Sequence, residues 1–282
     1  MFERHDFKTW DGTILSAGVW RRPDSSVSRP LVVVHGMGEH LLRYEKIAGE
    51  LLTYGYQVYS FDLRGHGRSP GARGDAPGLH YHVQDVLAFL DWVRSRQTRA
   101  TAHLPVVAHS MGGLLALQAA LASPTMFQSL FLISPYFRPA FQPQAWRLTA
   151  ARVLNRLYPW IALNVGLRLE QFAHDREVQM AIRDDSASHQ KMSARMALQL
   201  LAAGESLCNS NEPLAVPTVL LHGDQDTINS FDASFDFAQR QPQIEFVPVP
   251  GGAHQIHQDG STRSTILAHL LEFLNRIARG ES

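Results

Sequence analysis

The sequence predicts an α/β fold: a mostly parallel, doubly wound sheet that opens with an antiparallel hairpin and carries one inserted helical segment. Three observations predict it. Short, unalternating aliphatic runs at Leu31–Val34, Val58–Phe61, Val106–Ala108, Leu130–Ile133 and Val219–Leu221 have the pattern of strands covered on both faces. Helix-length periodic segments separate most of them, which makes successive βαβ units. One long stretch, 137–206, breaks the alternation and shows helical periodicity without a strand signal.

Taken in order, Phe7–Trp10 and Ile14–Trp20 flank the tight-turn pair Asp11-Gly12 and read as a hairpin. A polar linker, Pro23 to Pro30, leads into the first buried strand. Helical patterns follow at Tyr44–Tyr54, Tyr81–Arg96 and Met111–Ala122, and later at Phe231–Arg240 and Thr262–Ile277, with a last strand at Ile244–Val249. Residues 1–136 and 207–282 then form the core, and 137–206 an inserted cap. Within the cap Trp146, Leu148, Val153, Leu154 and Leu157 make one apolar stripe, continued by Trp160, Ile161, Leu163 and Leu167; Arg147, Arg152 and Arg156 lie mostly on another face. The stripe suits a helix packed on the main domain or, alternatively, a mobile lid lining a substrate entrance.

Composition narrows the function. The 282 residues are 45% apolar and 18% charged, which excludes a disordered chain. Twenty-six basic residues balance 26 acidic ones, against a nucleic-acid partner. That neutrality leaves little charge repulsion against association but specifies no interface. Cys208 is the sole cysteine, which excludes internal disulfides and argues against Cys-based metal sites. The charged, aromatic start MFERHDFKTW is not a secretory leader, and no apolar run is long enough for a transmembrane segment, so a cytoplasmic enzyme is expected.

The chemistry concentrates at strand ends. Ala108-His109-Ser110-Met111-Gly112 lies where a buried strand becomes a helix, the setting of a strained nucleophile turn; small residues at −2 and +2 let strand and helix approach. His35-Gly36-Met37-Gly38-Glu39-His40 follows an early strand and suits a second oxyanion donor. It lacks the glycine and lysine spacing of a phosphate loop. A serine nucleophile needs a base and an orienting acid. Two acids follow a later strand in His222-Gly223-Asp224-Gln225-Asp226. Asp226 is favoured over Asp224, because G-x-x-D carries the carboxylate past the strand end. Gly251-Gly252-Ala253-His254 then delivers His254 as base, with His257 as competitor. Most of the 14 histidines, His35 and His109 included, are expected to hold loops, and none has H-E-x-x-H spacing, so no metal is expected.

With these residues assembled, the sequence resembles the α/β-hydrolase superfamily over nearly its whole length. It looks most like the monoacylglycerol lipase and lysophospholipase branch, the serine aminopeptidase S33 type. HGMGEH with Tyr44 resembles that branch's HGxGEHxxRY loop, Phe61–Ser69 its [FY]DxRGHGxS turn, and AHSMGG its GHSMGG elbow, with Ala108 the one departure in the elbow. Asp175-Arg176-Glu177-Val178 to Asp184-Asp185 is similar to a cap stretch that usually reads DPEV…DP, without its prolines. The resemblance implies an α/β-hydrolase fold, Ser110 as nucleophile, Asp226 as acid and His254 as base. It implies oxyanion donors at the N–H groups of Met37 and Met111, with Gly36, Gly38 and His109 at the substrate wall. It also implies an acylglycerol-type ester or lipid substrate and no cofactor, and it leaves peripheral membrane contact through the cap open. A carboxylesterase, thioesterase or acyltransferase on small esters is the alternative. A non-catalytic ligand-binding protein is the reading from another class, and an intact Ser, Asp, His order argues against it.

Overall fold

The computed structural model describes residues 1–23, 29–97 and 103–281, so residues 24–28 of the expected linker lie outside the described residues. β1 (Phe2–Lys8) and β2 (Ile14–Trp20) pair antiparallel as the expected hairpin. Thr9 Oγ1 donates to Asp11 Oδ1 at 2.6 Å, and Gly12 takes a φ of 85° that side-chain-bearing residues avoid.

The remaining core strands are β3 (Arg29–Val34), β4 (Tyr56–Phe61), β5 (Leu104–His109), β6 (Phe127–Ile133), and later β9 (Thr218–Gly223) and β10 (Ile244–Val249). Helices α1 (Glu45–Thr53), α2 (Leu79–Arg94), α3 (Met111–Ala122), α8 (Phe231–Gln239) and α9 (Arg263–Ala278) alternate with them. The sheet order is β1-β2-β4-β3-β5-β6-β9-β10. β2 meets β4 antiparallel, and every pairing from β4 to β10 is parallel.

The aliphatic runs are buried on both faces, and their alternation decides which layer each residue joins. Leu31, Val33, Val107 and Phe131 pack with Ile47 of α1 and Leu270 of α9. Val32, Val34, Val106 and Leu130 pack with Phe89 of α2 and Leu115 of α3. Side chains two apart share a face, so one strand serves two cores. The loop after β4 is fixed by its carboxylate. Asp62 accepts from the N–H of Leu41 and of Arg68, each at 2.8 Å, and Arg64 forks onto Asp85 of α2 with both N···O distances 2.6 Å.

Between β6 and β9 the chain forms α4 (Ala145–Leu157), β7 (Ala162–Asn164), α5 (Leu169–Phe172), α6 (Arg176–Asp184), β8 (Lys191–Ser193) and α7 (Ala194–Asn209). This corrects the expectation of helix alone: β7 and β8 pair antiparallel, Leu163 opposite Met192. Three-residue strands are too short to display a period of two. α7 also runs past Ser206 to Asn209. No residue of α4 is buried, which departs from a helix simply packed on the core. No helix among the described residues is long and apolar enough to cross a membrane.

The contrast between buried and exposed ion pairs gives a stability test. Asp85→Ala leaves the Arg64 guanidinium buried and short of its main partner. Urea denaturation is expected to show a loss of about 3 kcal/mol or more, since breaking such a pair strands a charge. Asp91→Ala removes an exposed pair with Arg94 and is expected to cost less than about 0.5 kcal/mol. Equal losses for the two would contradict this account of the turn.

Candidate active site

Five parallel strand ends converge on one rim, and the expected residues sit there. Ser110 turns the chain from β5 into α3 with φ 53° and ψ −122°, a strained conformation for a non-glycine residue. Its N–H donates to Ile133 O at 3.0 Å, and its carbonyl accepts from Tyr136 N at 3.0 Å, so the neighbouring strand's exit holds the strain in place. Gly112 is required because a Cβ there would press on the carbonyls of Val34 and His35.

Ser110 Oγ lies 3.0 Å from His254 Nε2, and His254 Nδ1 lies 2.7 Å from Asp226 Oδ2. The carboxylate can only accept, which puts the imidazole proton on Nδ1 and leaves Nε2 free to take one from the hydroxyl. Asp226 is further held by the N–H groups of Ile228 at 2.8 Å and Asn229 at 2.9 Å, and by His222 Nε2 at 3.1 Å. Burial acts to raise its carboxyl, but the His254 charge and the hydrogen bonds from His222 and His254 hold it below the usual carboxylate range. Burial pushes the His254 imidazole down, with Asp226 opposing.

The rivals lie elsewhere. Asp224 is exposed and accepts from Gly251 N at 2.7 Å, closing the loop that carries His254. His257 is buried and stacks on Tyr44, ring centres 5.2 Å apart.

The loop after β3 faces Ser110 across the rim. Glu39 N–H donates to Gly36 O at 3.3 Å, so Met37 sits at a turn corner whose own N–H the turn does not use. Met111 opens α3, where an N–H has no carbonyl a turn earlier to bond. Both residues, with Gly38, line a cavity of about 1060 Å³ that contains Ser110 and His254 at its floor. Gly38, φ 75°, permits the turn, and a Cβ on it would strike the His189 carbonyl. The Met37 thioether sulfur rests 3.3 Å from His66 Nε2. Gly36 and His109 stand behind the wall: Gly36 N donates to Glu39 Oε2 at 2.8 Å, and His109 Nδ1 lies 3.2 Å from the same oxygen.

Glu39 is the hub that sequence reasoning missed. Its carboxylate also accepts from Tyr44 Oη at 2.9 Å and from Gln255 Nε2 at 2.7 Å, tying the loop after β3 to the loop after His254. Burial opposes its charge, yet the adjacent His109 holds the carboxyl well below its usual range. Potential ligand atoms of Glu39, His109 and His257 lie within 4.8 Å of one another. Both Glu39 oxygens already accept protein hydrogen bonds, so the trio is wired as a hydrogen-bond network and a cation would have to displace them.

The chain resembles known proteins throughout. A family model described as serine aminopeptidase, S33, matches residues 25–261. The chain belongs to this family. Human monoglyceride lipase is 30% identical over 255 residues, covering 88% of this chain and 82% of that protein. An abhydrolase domain-containing protein of Dictyostelium discoideum is 29% identical over 270 residues, and the chain spans only 28% of its length. In fold it superposes on a soluble variant of Saccharomyces cerevisiae monoglyceride lipase with a substrate analogue, at TM-score 0.86, 21% identity and 98% and 94% coverage. The S33 family member is thus an α/β-hydrolase of the monoacylglycerol lipase branch, an ester-hydrolase type. Besides Glu39, the motifs assign no role to His222, which stands in the acid loop's own motif, or to Asn229. The D-x-x-N spacing after Asp226 was the available signal for the latter.

Replacing Glu39 by Ala strands the Gly36 N–H, the Tyr44 hydroxyl and the Gln255 amide. A destabilisation of about 3 kcal/mol is expected by urea unfolding, since buried donors to a charged acceptor lose their partner together. A change within about 0.5 kcal/mol would place the hub elsewhere.

Proposed function

We propose that the chain hydrolyses carboxylic esters of the acylglycerol type, monoacylglycerols and lysophospholipids, through an acyl-enzyme on Ser110. The observation that carries this reading is the Ser110–His254–Asp226 relay at 3.0 and 2.7 Å, opening on a mostly apolar cavity. Ser110 Oγ attacks the ester carbonyl while His254 Nε2 takes its proton; Asp226 keeps the productive tautomer and stabilises the imidazolium. The main-chain N–H groups of Met37 and Met111 receive the oxyanion, where losing one donor costs about 2.7–4 kcal/mol. His254 then protonates the leaving alcohol, activates a water, and the acyl group departs. No metal or cofactor takes part.

The cavity supports the substrate class. Leu148, Leu154, Leu198 and Ile228 offer apolar wall to an acyl chain, while Glu39, Arg43 and Gln255 offer polar groups to the alcohol part. The segment 137–206 acts as the lid in this reading. Trp146, Val153, Leu157, Trp160 and Leu163 are exposed large apolar side chains on it, a surface suited to resting at a lipid interface.

Incubation with a fluorophosphonate followed by mass spectrometry is expected to add one phosphonyl group at Ser110, and Ser110→Ala is expected to abolish both labelling and ester turnover. Turnover surviving that replacement would end the proposal. The His254 imidazole must be neutral to accept a proton and is held low by burial. The kcat/KM profile is therefore expected to rise with pH and reach its plateau through a limb below histidine's ordinary 6.5. A limb above that value would oppose the assignment. For the lid, Trp160→Ser is expected to lower turnover of monoacylglycerol presented in vesicles while leaving a soluble short p-nitrophenyl ester unaffected. Equal effects on both would remove the interfacial role.

A further inference from the structure

One polar side chain touches the nucleophile without belonging to the relay. Asn229 is only 1% exposed and lines the cavity. Its main-chain N–H donates to Asp226 Oδ1 at 2.9 Å. Its Nδ2 donates to Ser134 O at 2.9 Å and lies 3.4 Å from Ser110 Oγ. The first contact fixes the orientation of the amide, because the carboxamide oxygen cannot face another carbonyl oxygen. The second amide hydrogen is then directed at Ser110.

Ser134 supports this arrangement from behind. It follows β6 with φ 42°, left-handed for a residue that is not glycine, and its N–H donates to Leu221 O at 2.8 Å. Such a conformation persists only where the surroundings over-determine it. A residue needed only to tie the end of β6 to the loop after β9 could do so with one donor; Asn brings two, and the spare one meets the reacting oxygen.

We propose that Asn229 is a donor to Ser110 Oγ, aiming the hydroxyl proton at His254 and stabilising the charge on Oγ as that proton leaves. The proposal rests on the ester-hydrolase reading. The hydroxyl proton passes to His254 Nε2, and an Oγ electron pair forms the bond to the ester carbon. The carbonyl pair moves onto the oxyanion. Asn229 contributes while Oγ is negative and unbonded; once acylated, Oγ is a poor acceptor and the contact is spent. The 3.4 Å separation fits a contact that tightens only as charge develops. As a neutral amide, Asn229 supplies this donor without adding a second carboxylate beside Asp226.

The test compares Asn229→Leu, similar in size with no donor, and Asn229→Asp, the same shape with an acceptor, alongside Ser110→Ala. Each is assayed for the fluorophosphonate labelling rate, for kcat and KM on p-nitrophenyl butyrate, and for thermal unfolding. Asn229→Leu is expected to slow labelling and kcat about tenfold, the worth of one hydrogen bond, with KM within about twofold. Asn229→Asp is expected to be slower still, since its carboxylate opposes the charge on Oγ. If the Leu variant does not fold, Asn229→Ala carries the same tenfold expectation without added bulk. Wild-type labelling and kcat in a folded Leu or Ala variant would overturn the proposal, as would equal losses for Leu and Asp or a defect confined to KM. Turnover persisting in Ser110→Ala would instead overturn the ester-hydrolase reading.

Discussion

Parallel pairing from β4 to β10 is the constraint on which the rest of this molecule depends. Strands that run the same way deliver their C-terminal loops to one edge of the sheet. The loop after β3 brings Met37 and Glu39, that after β5 brings Ser110, and that after β6 brings Ser134. The loops after β9 and β10 bring Asp226 and His254. No side chain has to reach far, because neighbouring strands already place these loops within hydrogen-bonding distance of one another. The strain at Ser110 is carried by the same device, since the N–H that anchors it bonds to the carbonyl of Ile133 on the adjacent strand.

Behind the rim lies a second layer of polar wiring that keeps the loops in register. Glu39 joins the turn at Met37 to His109 beside Ser110 and to Gln255 beside His254. His35 bridges the same turn to the loop after β4: Nδ1 lies 2.8 Å from Gly36 O, and Nε2 accepts from Leu63 N at 3.0 Å. Buried polar groups are costly when unpaired and rigidifying when paired. The concentration of histidines here therefore reads as scaffolding, and it explains why a chain with 14 of them uses few at the cavity floor.

The excursion between β6 and β9 meets this wiring at several points, among them Phe172 O, which accepts from Gln255 N at 2.7 Å. His189 N–H donates to Gly38 O at 2.9 Å, and His40 Nε2 lies 2.7 Å from Asp185 Oδ2. The outer wall of the cavity is thereby joined to the turn that faces Ser110. α4, by contrast, buries none of its residues and leaves Trp146 exposed where it lines the cavity.

By itself, the order of residues determined the sheet, the hairpin and the elbow. Aliphatic runs, an Asp-Gly turn and small residues around Ser110 are local signals, and each expresses a short-range rule of backbone geometry or burial. The same order ranked Asp226 above Asp224 and His254 above His257; the tertiary structure separates the two acids by burial and contact, and the two buried histidines by contact alone. What only the tertiary structure decided are relations between residues distant in sequence: Glu39 with Gln255, Ser134 with Asn229, and the pairing of β7 with β8. No periodicity records these, because a buried hydrogen bond depends on where two loops arrive, and that is fixed by the packing of the whole sheet.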